Sequence, residues 1–149
     1  MAAVLAVYAA PYAPTRPQVN CDEPTTQRIN ATRQPRPAQP GRPQRYAEAY
    51  ERHGTRHLVR VVEPPAGWRH VQVTAPRTTL DVAYAMPWLV DEGSPEATVL
   101  RVVLDKLHTP QLAALDEAFE PAEARRMARK LAVHDTPKQG SGLNMAEID

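Results

Sequence analysis

TVLRVVLD, residues 98–105, is the best strand in the chain: apolar, β-branched and closed by a carboxylate. A helical stretch follows from Thr109 to Lys130, broken near Glu120-Pro121, where the proline suits a new first turn. LAVHDTP (131–137) then returns as a last short strand. Upstream, TTLDVAYAMPWLVDEG (78–93) predicts a helix with a Thr78–Asp81 capping pair and Gly93 as its stop. Pro87 lies inside that helix and costs about 3 kcal/mol if the helix stays straight.

Further upstream, RYAEAYERHGTRHLVRVVEPPAGWRHVQVT (45–74) predicts successive strands with turns at His53-Gly54 and at residues 64–67. Residues 11–43 carry eight prolines and read mostly as extended loop, interrupted by QVNCDE (18–23), a weak strand. MAAVLAVYAA, at the start, is expected to be a short helix. It lacks a basic n-region and is too short to span a bilayer, and no other stretch could cross one. The order of elements predicts an α/β fold: a mixed sheet with an antiparallel start and later crossovers, flanked by helices.

A chain of 149 residues is expected to form one domain with a real core. Its 16 prolines are about twice the usual share and match the long irregular stretches. Charge is unevenly spread. Between Arg28 and Arg60 stand eight arginines against two glutamates, a net of +6 that leaves the rest of the chain at −5. Cys21, the only cysteine, excludes an intrachain disulfide and suits a reducing cytoplasm. In a strand it is expected to be a small buried side chain, not a nucleophile.

Three acids stand out by position. Asp22 ends the first strand, Asp105 ends the strongest, and Glu147 lies in the first turn after the last. Neighbouring parallel strands bring their carboxyl ends to one rim, so these acids could converge although 83 and 42 residues separate them. Converged carboxylates repel by about 4 kcal/mol per pair at ~4 Å and an effective dielectric near 20. A divalent cation removes that cost, and an all-oxygen set favours Mg2+ or Mn2+. Two such ions can activate a water or hydroxyl and stabilise a leaving oxygen in phosphodiester displacement.

The closing residues TPKQGSGLNMAEID (136–149) resemble the TPKHGSWLNMAEIE signature of bacterial insertion-sequence transposases of the mariner superfamily. VLRVVLDKLHT is similar to that family's VLDNLNT block, and QVNCDE resembles the strand bearing its first acid. PGRPQRY, EPPAGWRHVQVT, EAFEPAEARRMARKL and AVYAAPYAPTRPQVN also look like family sequence, so the likeness covers essentially the whole chain. It implies a ribonuclease-H-like DDE endonuclease domain over residues 18–149, incomplete at its C-terminus, after a short helix and lead-in at 1–17. A Pro/Arg-rich loop is expected at about 24–44. The resemblance implies that Asp22, Asp105 and Glu147 are the catalytic and metal-binding acids, holding two Mg2+ or Mn2+ ions. The implied activity is DNA strand cleavage and transfer on terminal inverted repeats and target DNA, by a bacterial, nucleoid-associated transposase that can act as a homodimer. Arg28, Arg33, Arg36, Arg42, Arg45 and Lys138 are the expected DNA contacts, through phosphates.

Within the family motifs this chain departs at several points. Lys106 and His108 replace asparagines, Pro110 and Gln139 replace histidines, Asp135 an aromatic, and Gly142 a tryptophan. The chain is expected to be cut at both ends relative to the family, and so to be impaired as a nuclease. The alternatives are a noncatalytic DNA-binding or inhibitory fragment and a translated relic. His53 and His57 have a metal-ligand spacing, but Gly54 favours a turn. His134, Asp135 and Ser141 supply the residue types of a hydrolase triad, yet neighbours in one segment rarely reach that geometry. Trp68 and Trp88 are expected in the core.

Overall fold

Six strands form one mixed sheet in the computed structural model, which describes residues 2–31, 36–45, 50–74, 80–105 and 111–147. In chain order the elements are α1 (Ala2–Ala9), β1 (Gln18–Asp22), β2 (Thr25–Ala31), β3 (Tyr50–Glu63), β4 (Trp68–Thr74), α2 (Asp81–Trp88), β5 (Leu100–Leu104), α3 (Gln111–Ala118), α4 (Pro121–Lys130) and β6 (Leu131–Asp135). β1 pairs antiparallel with the end of β3 and parallel with β5; β5 in turn pairs parallel with β6. β4 pairs antiparallel with β3 on its other edge, and β2 pairs with the first half of β3.

The expected α/β architecture is therefore present, with an antiparallel start and crossovers through helices. β5 explains why. Leu100, Val102 and Leu104 face a core shared with α2, α3 and α4, while Val103 meets Val4 and Val7 of α1 on the opposite face. A strand covered on both faces is expected to be largely apolar, which is how TVLRVVLD reads apart from Arg101, whose guanidinium donates to the Arg16 carbonyl. α1 is too short to persist alone and is held by this packing. No helix among the described residues is long and apolar enough to cross a membrane.

Three expectations need correction. The first concerns His53-Gly54: β3 does not turn there but runs on for 14 residues. Between two points of the β2–β3 ladder, β2 advances from Gln27 to Ile29 while β3 covers Arg52 to Thr55, one residue more. Gly54, at φ +85°, absorbs the extra residue as a bulge. A left-handed glycine can close a turn or kink a strand, and the long-range pairing decides which.

The second is the loop at 24–44. It contains β2, and residues 36–45 form a small hairpin in which Arg36 pairs with Arg45 and Gln39 with Arg42.

The third is the helix at 78–93. α2 spans Asp81–Trp88 and then widens into a π turn, Leu89–Gly93, closed by the Ser94 N–H on the Leu89 carbonyl at 2.9 Å. Thr78 lies outside the described residues, and Asp81 accepts the Thr74 hydroxyl at 3.0 Å. The π turn does end at Gly93, as expected, and a Cβ there would lie 2.7 Å from the Trp88 ring.

The turn at Pro64–Ala66 and the break before Pro121 stand as expected. Trp68 and Trp88 pack edge to face against the core, 5.6 Å between centroids.

Candidate active site

The β1–β5 register runs Gln18 beside Arg101 to Asn20 beside Val103. Continued by two residues, it sets Asp22 beside Asp105 at the carboxyl rim. Both share the alternation of Asn20 and Val103, so they belong to the sheet face that α1 and the terminal segment cover. Glu147 arrives on that face in a 3-10 turn, Met145–Glu147. Its carboxyl is raised above the ordinary range, first by partial burial, then by the charges of Asp22 and Asp105, while Arg60 opposes them. Glu147 thus feels the charges of both aspartates.

The rim contains a cation of its own. Arg60, the cross-strand partner of Asp22, places Nη2 2.8 Å from Asp22 Oδ2. The other oxygen, Oδ1, accepts the Glu23 N–H at 2.8 Å. Among the described residues, no three His, Cys, Asp or Glu side chains form a ready-made metal cage.

A buried polar clasp holds the terminal segment. Asn144, fully buried, donates Nδ2 to the Cys21 carbonyl at 2.7 Å and accepts at Oδ1 from Asn20 Nδ2 and the Ala146 N–H, each at 3.2 Å. Asn20 Nδ2 also reaches the Tyr8 hydroxyl, which donates to the Leu143 carbonyl. Glu147 is therefore anchored from before, through β1 and α1. Arg60, Asn144, Asn20 and Tyr8 were not singled out from the sequence. Their only signal was polarity at positions where a β-strand or a short terminal turn meets a buried face.

The remaining candidates divide. Cys21 is buried, and burial together with Asp22 pushes its thiol up to about 12, which leaves it inert at neutral pH. His134 and Asp135 are consecutive in β6 and point to opposite faces, so they do not converge in a triad. His57 contacts Thr25 Oγ1 at 3.1 Å and His53 lies 3.7 Å from Glu51. Arg28, Arg36, Arg42, Arg45 and Lys138 are all exposed, whereas Arg33, Lys106, His108 and Pro110 lie outside the described residues. Arg36 and Arg45 stand directly opposite in the hairpin, a like-charge pair that costs stability unless an anion joins it. At Gly142 a Cβ would meet open space, so no side chains are packed around the place of a larger residue.

Compared with protein-family models, curated proteins and solved structures, the chain has no match.

Proposed function

We propose that this chain is a DDE-type transposase catalytic domain, of the mariner-type insertion-sequence class, that cleaves and joins DNA strands with divalent metal. The observation that carries this reading is the β1–β5 register, which leads Asp22 and Asp105 to one rim, together with the charges of both that reach Glu147, across separations of 83 and 42 residues. The strand arrangement adds support. β1, the end of β3, and β4 form an antiparallel meander, and β5 and β6 extend it in parallel from β1. A mixed sheet of this kind, flanked by helices, is compatible with the ribonuclease-H-like fold that the resemblance implies.

The donor set suits Mg2+ or Mn2+. Three carboxylates offer hard oxygens, and the mutual repulsion felt at Glu147 is what a divalent cation relieves. Asp22, Asp105 and Glu147 would hold it. The chemistry supplied by two bound ions is activation of a water or 3′-hydroxyl and stabilisation of the departing oxygen. The chain's own residues do the positioning. β1 and β5 fix two acids on neighbouring strands, and the Asn144 clasp delivers the third. Exposed arginines at 28, 36, 42 and 45, with Lys138, would meet phosphates. Activity is expected to be low as the chain stands, because Lys106 supplies a competing charge beside Asp105.

The test is strand cleavage of terminal-repeat DNA in Mn2+ by the chain carrying Lys106→Asn, with Asp105→Asn as control. Metal-dependent cleavage by the first that the second abolishes supports the reading. If neither chain cleaves DNA or binds Mn2+, the reading is wrong.

A second reading, noncatalytic DNA binding, is favoured by the Arg36–Arg45 pair. It predicts duplex affinity that falls steeply with salt, and a log–log slope flattened by about 3 × 0.9 when Arg36, Arg42 and Arg45 are neutralised. An unchanged slope would exclude phosphate contact there.

A further inference from the structure

We propose that Arg60 is a tethered counter-cation of the acid rim, one that a divalent ion must displace from Asp22 before it can bind. The inference rests on the metal-site reading above and adds a residue that governs loading of that site. Both Asp22 oxygens are already engaged, Oδ2 by Arg60 Nη2 and Oδ1 by the Glu23 N–H, each at 2.8 Å. The Asp22 side chain is only 12% exposed and Arg60 only 26%, so this charge-assisted contact lies largely out of water, where it is strong. A cation approaching Oδ2 meets a guanidinium first.

The grip is nevertheless incomplete. Arg60 reaches Asp22 through a single nitrogen, and its Nε is buried without a hydrogen-bond partner. Elsewhere in the molecule Arg126 grips Asp91 with two nitrogens, at 2.8 and 2.9 Å. A one-point contact with an orphaned Nε is held less firmly than a fork on a carboxylate. Arg60 therefore neutralises part of the rim in the metal-free state and can still be moved. It is a positioning residue and acts through Asp22.

The experiment titrates Mn2+ into the full chain by calorimetry, with electron paramagnetic resonance of the free ion as a check. The wild type is compared with Arg60→Gln, Arg60→Lys and Asp105→Asn. Arg60→Gln is expected to bind Mn2+ about tenfold tighter, since displacing a charge-assisted hydrogen bond is no longer required. Arg60→Lys, charged but without the planar fork, is expected to fall between. The Mn2+-induced rise in melting temperature should grow in the same order, which a merely structural arginine would not produce.

Saturable binding that Asp105→Asn removes, but that Arg60→Gln leaves equal or weaker, overturns the proposal and leaves the metal site standing. No saturable binding in any variant, or binding indifferent to Asp105→Asn, overturns the metal site itself. If Arg60→Gln fails to fold by circular dichroism, Arg60→Lys decides: tighter than wild type supports the proposal, and equal or weaker overturns it.

Discussion

Arg60 and Arg126 each stand among carboxylates, and the two sites come out with opposite electrostatics. Arg126 joins α4 to the π turn, holding both oxygens of Asp91 and both of Glu123, with its shortest contact at 2.6 Å. Asp91 and Glu123 are both held below their ordinary range, chiefly by hydrogen bonds from Arg126. At the rim, Arg60 bonds Asp22 through one nitrogen, and Glu147 is raised by burial and by the charges of Asp22 and Asp105. Arg126 lowers both of its acids, whereas Arg60 only partly offsets what raises Glu147. The outer cluster is a finished surface contact, of a kind worth little to stability. At the rim, by contrast, the Glu147 carboxyl is raised despite Arg60 nearby, a perturbation of the kind that clusters at functional sites.

The largest expected effect separates the two sites by function. Asp105→Asn should lower Mn2+ affinity and any metal-dependent cleavage by about a hundredfold or more, whereas Asp91→Asn should leave both unchanged. Equal losses in the two variants, measured by calorimetry and strand cleavage, would erase the distinction.

The next effect tests the clasp behind the rim. Asn144→Ala strands the Cys21 carbonyl and Asn20 in a buried setting and should cost about 2–4 kcal/mol in urea unfolding. Limited proteolysis should then cut first in residues 136–147. Unchanged protection would mean that α1 and Tyr8 suffice to hold the segment.

Gly93→Ala tests the other site, because Gly93 closes the turn that carries Asp91. The added Cβ would meet the Trp88 ring at 2.7 Å and should cost about 1–3 kcal/mol, with cleavage unaffected. A neutral result would mean that the ring shifts freely.

The smallest effect is in pH, and its sign differs between the sites. Glu147, raised in the folded state, contributes stability below the ordinary glutamate range of about 4.3, lost as pH rises through its higher folded value. Asp91 and Glu123, depressed in the folded state, contribute stability above their ordinary values, lost as pH falls through the lower folded ones. Metal-free melting curves should therefore show Glu147→Gln removing a loss on the neutral side of pH 4–5. Arg126→Gln should instead remove a loss on the acid side. Parallel shifts in the two variants would contradict the contrast.

Much of this molecule is legible locally. TVLRVVLD announces its strand because both of its faces are buried, and Pro121 announces a helix start through its fixed φ. β2 escaped notice because TTQRINA is polar, sits among prolines and earns its strand only by pairing with β3. Gly54 was misread because its positive φ serves a turn and a bulge equally. Asp22, Asp105 and Glu147 could be named from strand ends and motif resemblance. Arg60 and Asn144 could not, because their partners lie 38 and 123 residues away.

By itself the sequence determined where apolar periodicity makes strands and helices, which prolines interrupt them, and which acids end the strands. Those are properties of a residue and its near neighbours. Only the tertiary structure decided that Arg60 faces Asp22, that Asn144 ties the last turn to β1, and that Glu147 shares a field with two distant aspartates. Electrostatic and hydrogen-bonding energies depend on distance and burial in space, and chain separation carries information about neither.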